Sequence, residues 1–152
     1  MSATRPIREK VVAYITHGRR LLVFRHVDFL EAGIQVPAGT VEPGEDPADA
    51  VRREALEETG LPDLALVRFL GEQTHDLSGA GGPEWQRRRF YHLRCDGEPP
   101  EAWRHVERDP SDGSAPLTFE LFWARVPDGV PSLAAEQNAF LDSLLSSLQH
   151  DR

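Results

Sequence analysis

Apolar and β-branched positions fall in short runs along the first third of the chain. Val11–Ile15 and Leu21–Phe24 read as strands, and the His17-Gly18 punctuation between them predicts a hairpin. Ile34–Val36 predicts a further short strand, ended by Pro37. Gly39–Glu45 carries two glycines and a proline and predicts a loop or a short strand. The period then changes. Asp46 as N-cap, Pro47 at the first helical position and Asp49 in the first turn open a helix. Gly60 closes it as the C′ residue, and Pro62 prevents its continuation. Strands return at Leu64–Leu70, Arg88–Leu93 and Leu117–Arg125, the last alternating only in part. A second helix from about Leu133 to Leu148 places Leu133, Gln137, Phe140, Leu141, Leu144, Leu145 and Leu148 on one broad stripe. Strands, helix, strands, helix in this order predict an α/β domain, a mixed β-sheet with a helix on each face.

Composition narrows the setting. A chain of 152 residues, 39% hydrophobic and 28% charged, predicts one domain over 1–152. That size buries roughly 68–70% of its unfolded surface without a disulfide or structural metal. No internal repeat is evident, no apolar run approaches the ~18 residues of a membrane span, and the start MSATRPIREK does not resemble a signal peptide. The single cysteine, Cys95, excludes an internal disulfide framework and a Cys-based zinc site, so a cytoplasmic setting with no membrane partner is expected. A formal charge of −8 argues against nucleic acid as a partner, because sequence-independent binding needs a basic face. A phosphorylated ligand would instead need a divalent cation to attract it.

The first helix concentrates the acidic chemistry. Glu54, Glu57 and Glu58 stand at i, i+3 and i+4, so three carboxylates share one helical face, and no lysine lies on that helix to pair them. Ala48, Ala55 and Leu56 form an apolar edge that would seat the helix on the sheet. A solvated acidic face with an Arg53–Glu57 pair is the plain alternative. A hard cation offsets the repulsion, since magnesium takes oxygen ligands from a few carboxylates and from substrate phosphates.

The wider spacing is specific. Gly39, five residues, Glu45, seven residues, Arg53-Glu54, an aliphatic slot filled by Ala55, one residue, Glu57-Glu58, one residue, Gly60 and Leu61 together resemble the Nudix box, over residues 39–61. A chance match is on the order of one in a billion per start position from average residue frequencies. The resemblance implies an α/β/α sandwich and a hydrolase that cleaves a pyrophosphate linkage in a nucleoside diphosphate joined to another group. It implies Mg²⁺ or Mn²⁺ held by Glu54, Glu57 and Glu58 with the backbone at Gly39. Arg53 is implied as an organiser tied to Glu45, so the catalytic set is Glu54, Glu57, Glu58, Arg53 and Glu45. The expected partner is a small nucleotide such as ADP-ribose, a dinucleotide or a nucleoside triphosphate; a homodimer is left open.

Subclass markers are mixed. Val36-Pro37-Ala38-Gly39 looks like the lead-in of ADP-ribose hydrolases, but the downstream proline of those enzymes is absent near His75-Asp76, as is the tyrosine of dinucleoside polyphosphate hydrolases. Two other classes compete. A non-catalytic ligand-binding module does not need the intact carboxylates, and an isoprenoid diphosphate isomerase needs a cysteine in a context that Cys95 lacks. Outside the box, Arg25 and Glu120 are assigned to substrate binding. The resemblance implies a further metal ligand or base near the acidic, proline-rich segment Gly97–Pro116; Glu107, Asp109, Asp112 and the strand residue Glu120 compete, and Glu120 is preferred because strands hold ligands firmly. His75 and His92 read first as ordinary surface or core histidines. Asp76–Pro83 reads as a hairpin loop, Arg87-Arg88-Arg89 as a strand with at least one residue facing solvent, and Trp85, Trp103 and Trp123 as packing residues or base-stacking platforms.

Overall fold

The structure is a computed structural model and describes residues 7–76, 85–108 and 115–151. Seven strands form one sheet: β1 (Ile7–His17), β2 (Arg20–His26), β3 (Ala38–Thr40), β4 (Leu64–Asp76), β5 (Trp85–Cys95), β6 (Ala102–Glu107) and β7 (Leu117–Arg125). The order is β4-β5-β1-β2-β7-β6, with β3 beside β1. β1 runs parallel to β5, with Val11 opposite Arg89, and the other pairs are antiparallel. β1 shares one edge between two partners: Lys10–Val12 pair with β3, and Thr16–His17 pair with β2 through the turn at Gly18.

Alternation along β1 divides the core. Val11, Ala13 and Ile15 face α1 (Pro47–Thr59) and pack with Ala50, Val51, Ala55, Leu93 and Leu121. Val12 and Tyr14 face the opposite layer, where α2 (Leu141–His150) brings Leu144 against Val23, Phe90 and Val36. The expected sandwich, a mixed sheet with a helix on each face, is the observed one. α1 begins as its sequence requires: the Asp46 side chain accepts from the Ala48 N–H at 2.8 Å, Pro47 follows, and Gly60 ends the helix in the left-handed region at φ 73°.

Four expectations are corrected. The second helix does not start at Leu133: that residue is extended, Ala134–Glu136 form a 3₁₀ turn with Ala135 and Glu136 at positive φ, and α2 begins at Leu141. Tertiary partners take the polar groups a continuous helix would use. Arg88 donates to the Ala135 carbonyl at 2.6 Å, the Gln137 side chain accepts from the Val36 N–H at 2.8 Å, and the Tyr14 hydroxyl donates to the Gln137 carbonyl. The segment Ile34–Val36 forms only isolated bridges, Gln35 to Phe24 and Ile34 to Leu133. The proline-rich stretch from Gly97 contains a strand, β6, whose pairing with β7 supplies what its local composition does not. Leu56 does not seat α1 but is 51% exposed.

Of the three consecutive arginines, Arg87 and Arg89 both reach Glu9, at 3.0 and 2.7 Å. Arg88 points to the other face, buried, with Gln73 at 2.7 Å. Trp103 and Trp123 lie with ring centroids 6.2 Å apart, and their indole N–H groups reach the carbonyls of Thr59 and Pro100, which is packing. His75 sits 3.6 Å from Glu136. The loop expected at Asp76–Pro83, and Asp109 and Asp112, lie outside the described residues, apart from the end of β4 at Asp76.

His92 is a core residue, hydrogen-bonded to Thr16 Oγ1 at 2.8 Å and to Ser147 Oγ at 2.6 Å. Burial pushes its imidazole down to about 4, against a partial upward pull from Asp151. Folding therefore favours the neutral ring, and the contribution is full above about pH 6.5 and is lost as pH falls toward 4. On the order of 3 kcal/mol is at stake across that window. Urea unfolding at pH 7 and pH 5 should show a larger acid loss in the parent protein than in His92→Gln. Equal losses in the two proteins would contradict this reading.

Candidate active site

The site is assembled where α1 crosses β3. Glu54 is 3% exposed and Glu58 7%, both on the side of α1 that faces the sheet. Glu54 lies over Gly39: a Cβ added there would meet the Glu54 carboxyl carbon at 2.0 Å. Only glycine leaves room for that approach. Glu58 Oε2 accepts from the Ala38 N–H at 2.8 Å, so the short β3 strand holds the Glu58 carboxylate and leaves room for that of Glu54.

Arg53 ties the box loop to the helix. Its Nε and Nη2 donate to the two oxygens of Glu45, each at 2.9 Å. A second Nη2 bond reaches the Thr40 carbonyl at 3.0 Å, while Nη1 reaches Glu54 at 2.9 Å and Glu57 at 3.4 Å. This fork locks Glu45 down to about 2, chiefly by the hydrogen bonds from Arg53, and keeps the guanidinium charged. Arg53 thus joins the box loop at Thr40 and Glu45 to Glu54 on the helix.

A third acid completes the cluster from across the sheet. Glu107, at the end of β6 and 8% exposed, brings a carboxylate oxygen within 4.8 Å of ligand atoms of Glu54 and Glu58. Burial raises the Glu54 carboxyl, partly offset by Arg53. Burial also raises Glu58 well above its ordinary value, and Glu107 and Glu54 push it further. Three buried acids so close repel when ionised, and oxygen-only donors at this spacing fit a hard divalent cation.

Glu57 stands apart. Its side chain is 45% exposed, beside the trio, and lines an open pocket of about 340 Å³ with His105, Glu107 and Arg108. Thus the structure brings Glu54 and Glu58 together as expected and adds Glu107, one of the four acids weighed from sequence. Glu120, preferred there, does not join the trio. Alternation on β7 turns it to the opposite face, where it pairs with Arg25 at 3.0 Å and Arg104 at 3.5 Å. Arg25, Arg104, Glu120 and Phe122 line an open pocket of about 320 Å³ there. A smaller pocket of about 180 Å³ opens beside Gly39, with Lys10, Gln86, Arg88 and Gln137 on its walls.

Comparison with known proteins identifies the family. The NUDIX domain family model matches residues 6–135. An RNA pyrophosphohydrolase of Rhizobium meliloti (strain 1021) is 35% identical over 125 residues, covering 76% of this chain and 72% of the relative. An RNA pyrophosphohydrolase of Rhodopseudomonas palustris (strain BisB18) is 37% identical over 92 residues, 55% of this chain; the match spans about half of that relative, 52%. Among solved structures, a MutT NUDIX hydrolase from Burkholderia pseudomallei superposes with a TM-score of 0.63 at 26% identity, covering 93% of this chain and 98% of the other. Among the described residues, no helix is long and apolar enough to cross a membrane.

Proposed function

Since the chain belongs to the Nudix family, we propose that it hydrolyses a pyrophosphate linkage in a nucleoside 5′-polyphosphate derivative, with a divalent cation held at Glu54, Glu58 and Glu107. The observation that carries this reading is the buried meeting of those three carboxylates, with Glu54 over Gly39. A bound Mg²⁺ or Mn²⁺ supplies charge neutralisation at phosphate oxygens and acidifies the attacking water.

The remaining work falls to the chain. Arg53 fixes the loop carrying Glu45 and keeps Glu54 in place. Lys10 and Arg88, in the pocket beside Gly39, offer cationic walls to a phosphate or a polar base edge. In the reaction, a water oxygen forms a bond to one phosphorus as the bridging P–O bond breaks. The proton from water passes to a carboxylate of the cluster, and the departing phosphate leaves as the anion.

A second reading follows from the relatives' names: the polyphosphate stands at the 5′ end of RNA. The formal charge of −8 restricts recognition in that case to the terminal nucleotides, because a long phosphate backbone finds no basic face. A panel of ADP-ribose, dinucleoside polyphosphates, nucleoside triphosphates and a short 5′-triphosphorylated RNA, each with Mg²⁺ or Mn²⁺, tests both readings. Cleavage of at least one diphosphate-containing compound and inert nucleoside monophosphates are expected. Efficient turnover of monophosphates alone would remove the basis of the proposal.

A further inference from the structure

β6 is an edge strand, hydrogen-bonded to β7 within the sheet. Its residues alternate: Ala102, Arg104 and Val106 are exposed, while Trp103, His105 and Glu107 turn inward toward α1. The three inward side chains meet successive levels of the helix. Trp103 Nε1 donates to the Thr59 carbonyl at 2.9 Å, and His105 Nε2 bonds the Glu57 carbonyl at 2.8 Å. Glu107 then arrives beside Glu54 and Glu58. The strand thus runs back along the last turns of α1, rung by rung.

These contacts answer a specific need of the helix. The final carbonyls of a helix lack intrahelical donors, and the last turn of α1 contains no basic residue. The Gly60 N–H satisfies Leu56, and Thr59 Oγ1 satisfies Ala55 at 2.7 Å. Glu57 and Thr59 are served from β6. Gly60 also makes room for the clamp, because a Cβ there would stand 2.9 Å from the His105 ring. A slip of β6 by one residue would carry Glu107 to the solvent face and strip both carbonyls.

Resting on the reading of Glu54, Glu58 and Glu107 as a cation centre, we propose that Trp103 and His105 are positioning residues that set the depth and register of Glu107 against α1. Their ring nitrogens bond the carbonyls of α1. Their effect on cation affinity passes through the Glu107 carboxylate.

The test is a double-mutant cycle read by Mn²⁺ binding, with free Mn²⁺ followed by electron paramagnetic resonance, on His105→Ala, Glu107→Gln and the combined variant. Trp103→Phe keeps the ring packing and removes only the indole donor, and His105→Gln restores a side-chain donor. His105→Ala should weaken Mn²⁺ binding roughly tenfold, in the range of groups that orient metal ligands. Trp103→Phe should weaken it measurably, and His105→Gln should recover most of the loss. The combined variant should bind Mn²⁺ no more weakly than Glu107→Gln alone. If Glu107→Gln weakens binding but His105→Ala either leaves it unchanged or adds its full effect in the double variant, the positioning role is overturned and the cation centre stands. If Glu107→Gln itself leaves Mn²⁺ binding unchanged, the placement of the cation is overturned and the clamp with it.

Discussion

Replacing Glu58 by glutamine is expected to lower kcat by roughly a hundredfold or more while the chain stays folded, and Glu54→Gln should come close to it. Both carboxylates are buried in the trio, and burial raises Glu54 from its ordinary value and Glu58 well above it. A neutral amide of the same shape removes a like-charge repulsion and a desolvated anion, so the cation-free variants should melt no lower than the parent. Loss of turnover with retained or increased melting temperature is the signature of a site that trades stability for function. Glu57→Gln should cost less, because that side chain is 45% exposed and lies outside the buried trio, paired with Arg53 at 3.4 Å. Steady-state kinetics at saturating Mn²⁺, paired with thermal melts, checks the ranking. Parent-like rates in Glu54→Gln and Glu58→Gln would remove both from the cation site.

Gly39→Ala is expected to be as damaging as Glu54→Gln by a different route. The added methyl would stand 2.0 Å from the Glu54 carboxyl carbon and 2.2 Å from its Oε2. Neither side yields easily. Gly39 is paired to Val11 in the sheet, and Glu54 is held at 2.9 Å by Arg53, which is itself anchored to Glu45 and Thr40. The carboxylate must leave the cluster or the strand must move, at a cost of about 1–3 kcal/mol typical of overpacking. Activity and Mn²⁺ affinity should therefore fall together, with a melting temperature below that of Glu54→Gln. An alanine variant with parent-like activity would show that Glu54 does not work from its position over Gly39.

The parts of this molecule that were legible in its sequence are those fixed by local rules. α1 announces itself through Asp46, Pro47 and Gly60, and helical spacing puts Glu54, Glu57 and Glu58 on one face without separating the two buried acids from the exposed Glu57. Arg53 and Glu45 were legible through the spacing of the box. Glu107 was legible only as one acid among four, because its place depends on how β6 pairs with β7 and on which face the alternation selects. The inward series Trp103, His105, Glu107 was the available signal, and the neighbouring prolines and acids obscured it. Glu120 shows the same dependence in reverse: it lies on a strand as expected, yet a one-residue difference in parity turns it away from the trio to Arg25. The start of α2 was hidden for another reason. Its apolar stripe continues through Leu133 and Gln137, but Arg88, Val36 and Tyr14 claim the polar groups there, and no local pattern encodes such distant partners.

On the proposed reading, Glu54, Glu58 and Glu107 jointly hold the divalent cation that the hydrolysis requires. Anomalous diffraction at the manganese edge, from crystals grown with Mn²⁺, would locate that cation. A strong anomalous peak bounded by carboxylate oxygens of all three residues, above the Gly39 backbone, is expected, and it should be lost in Glu54→Gln/Glu58→Gln crystals. A peak at another location, or one at this location that survives the double substitution, would contradict that reading.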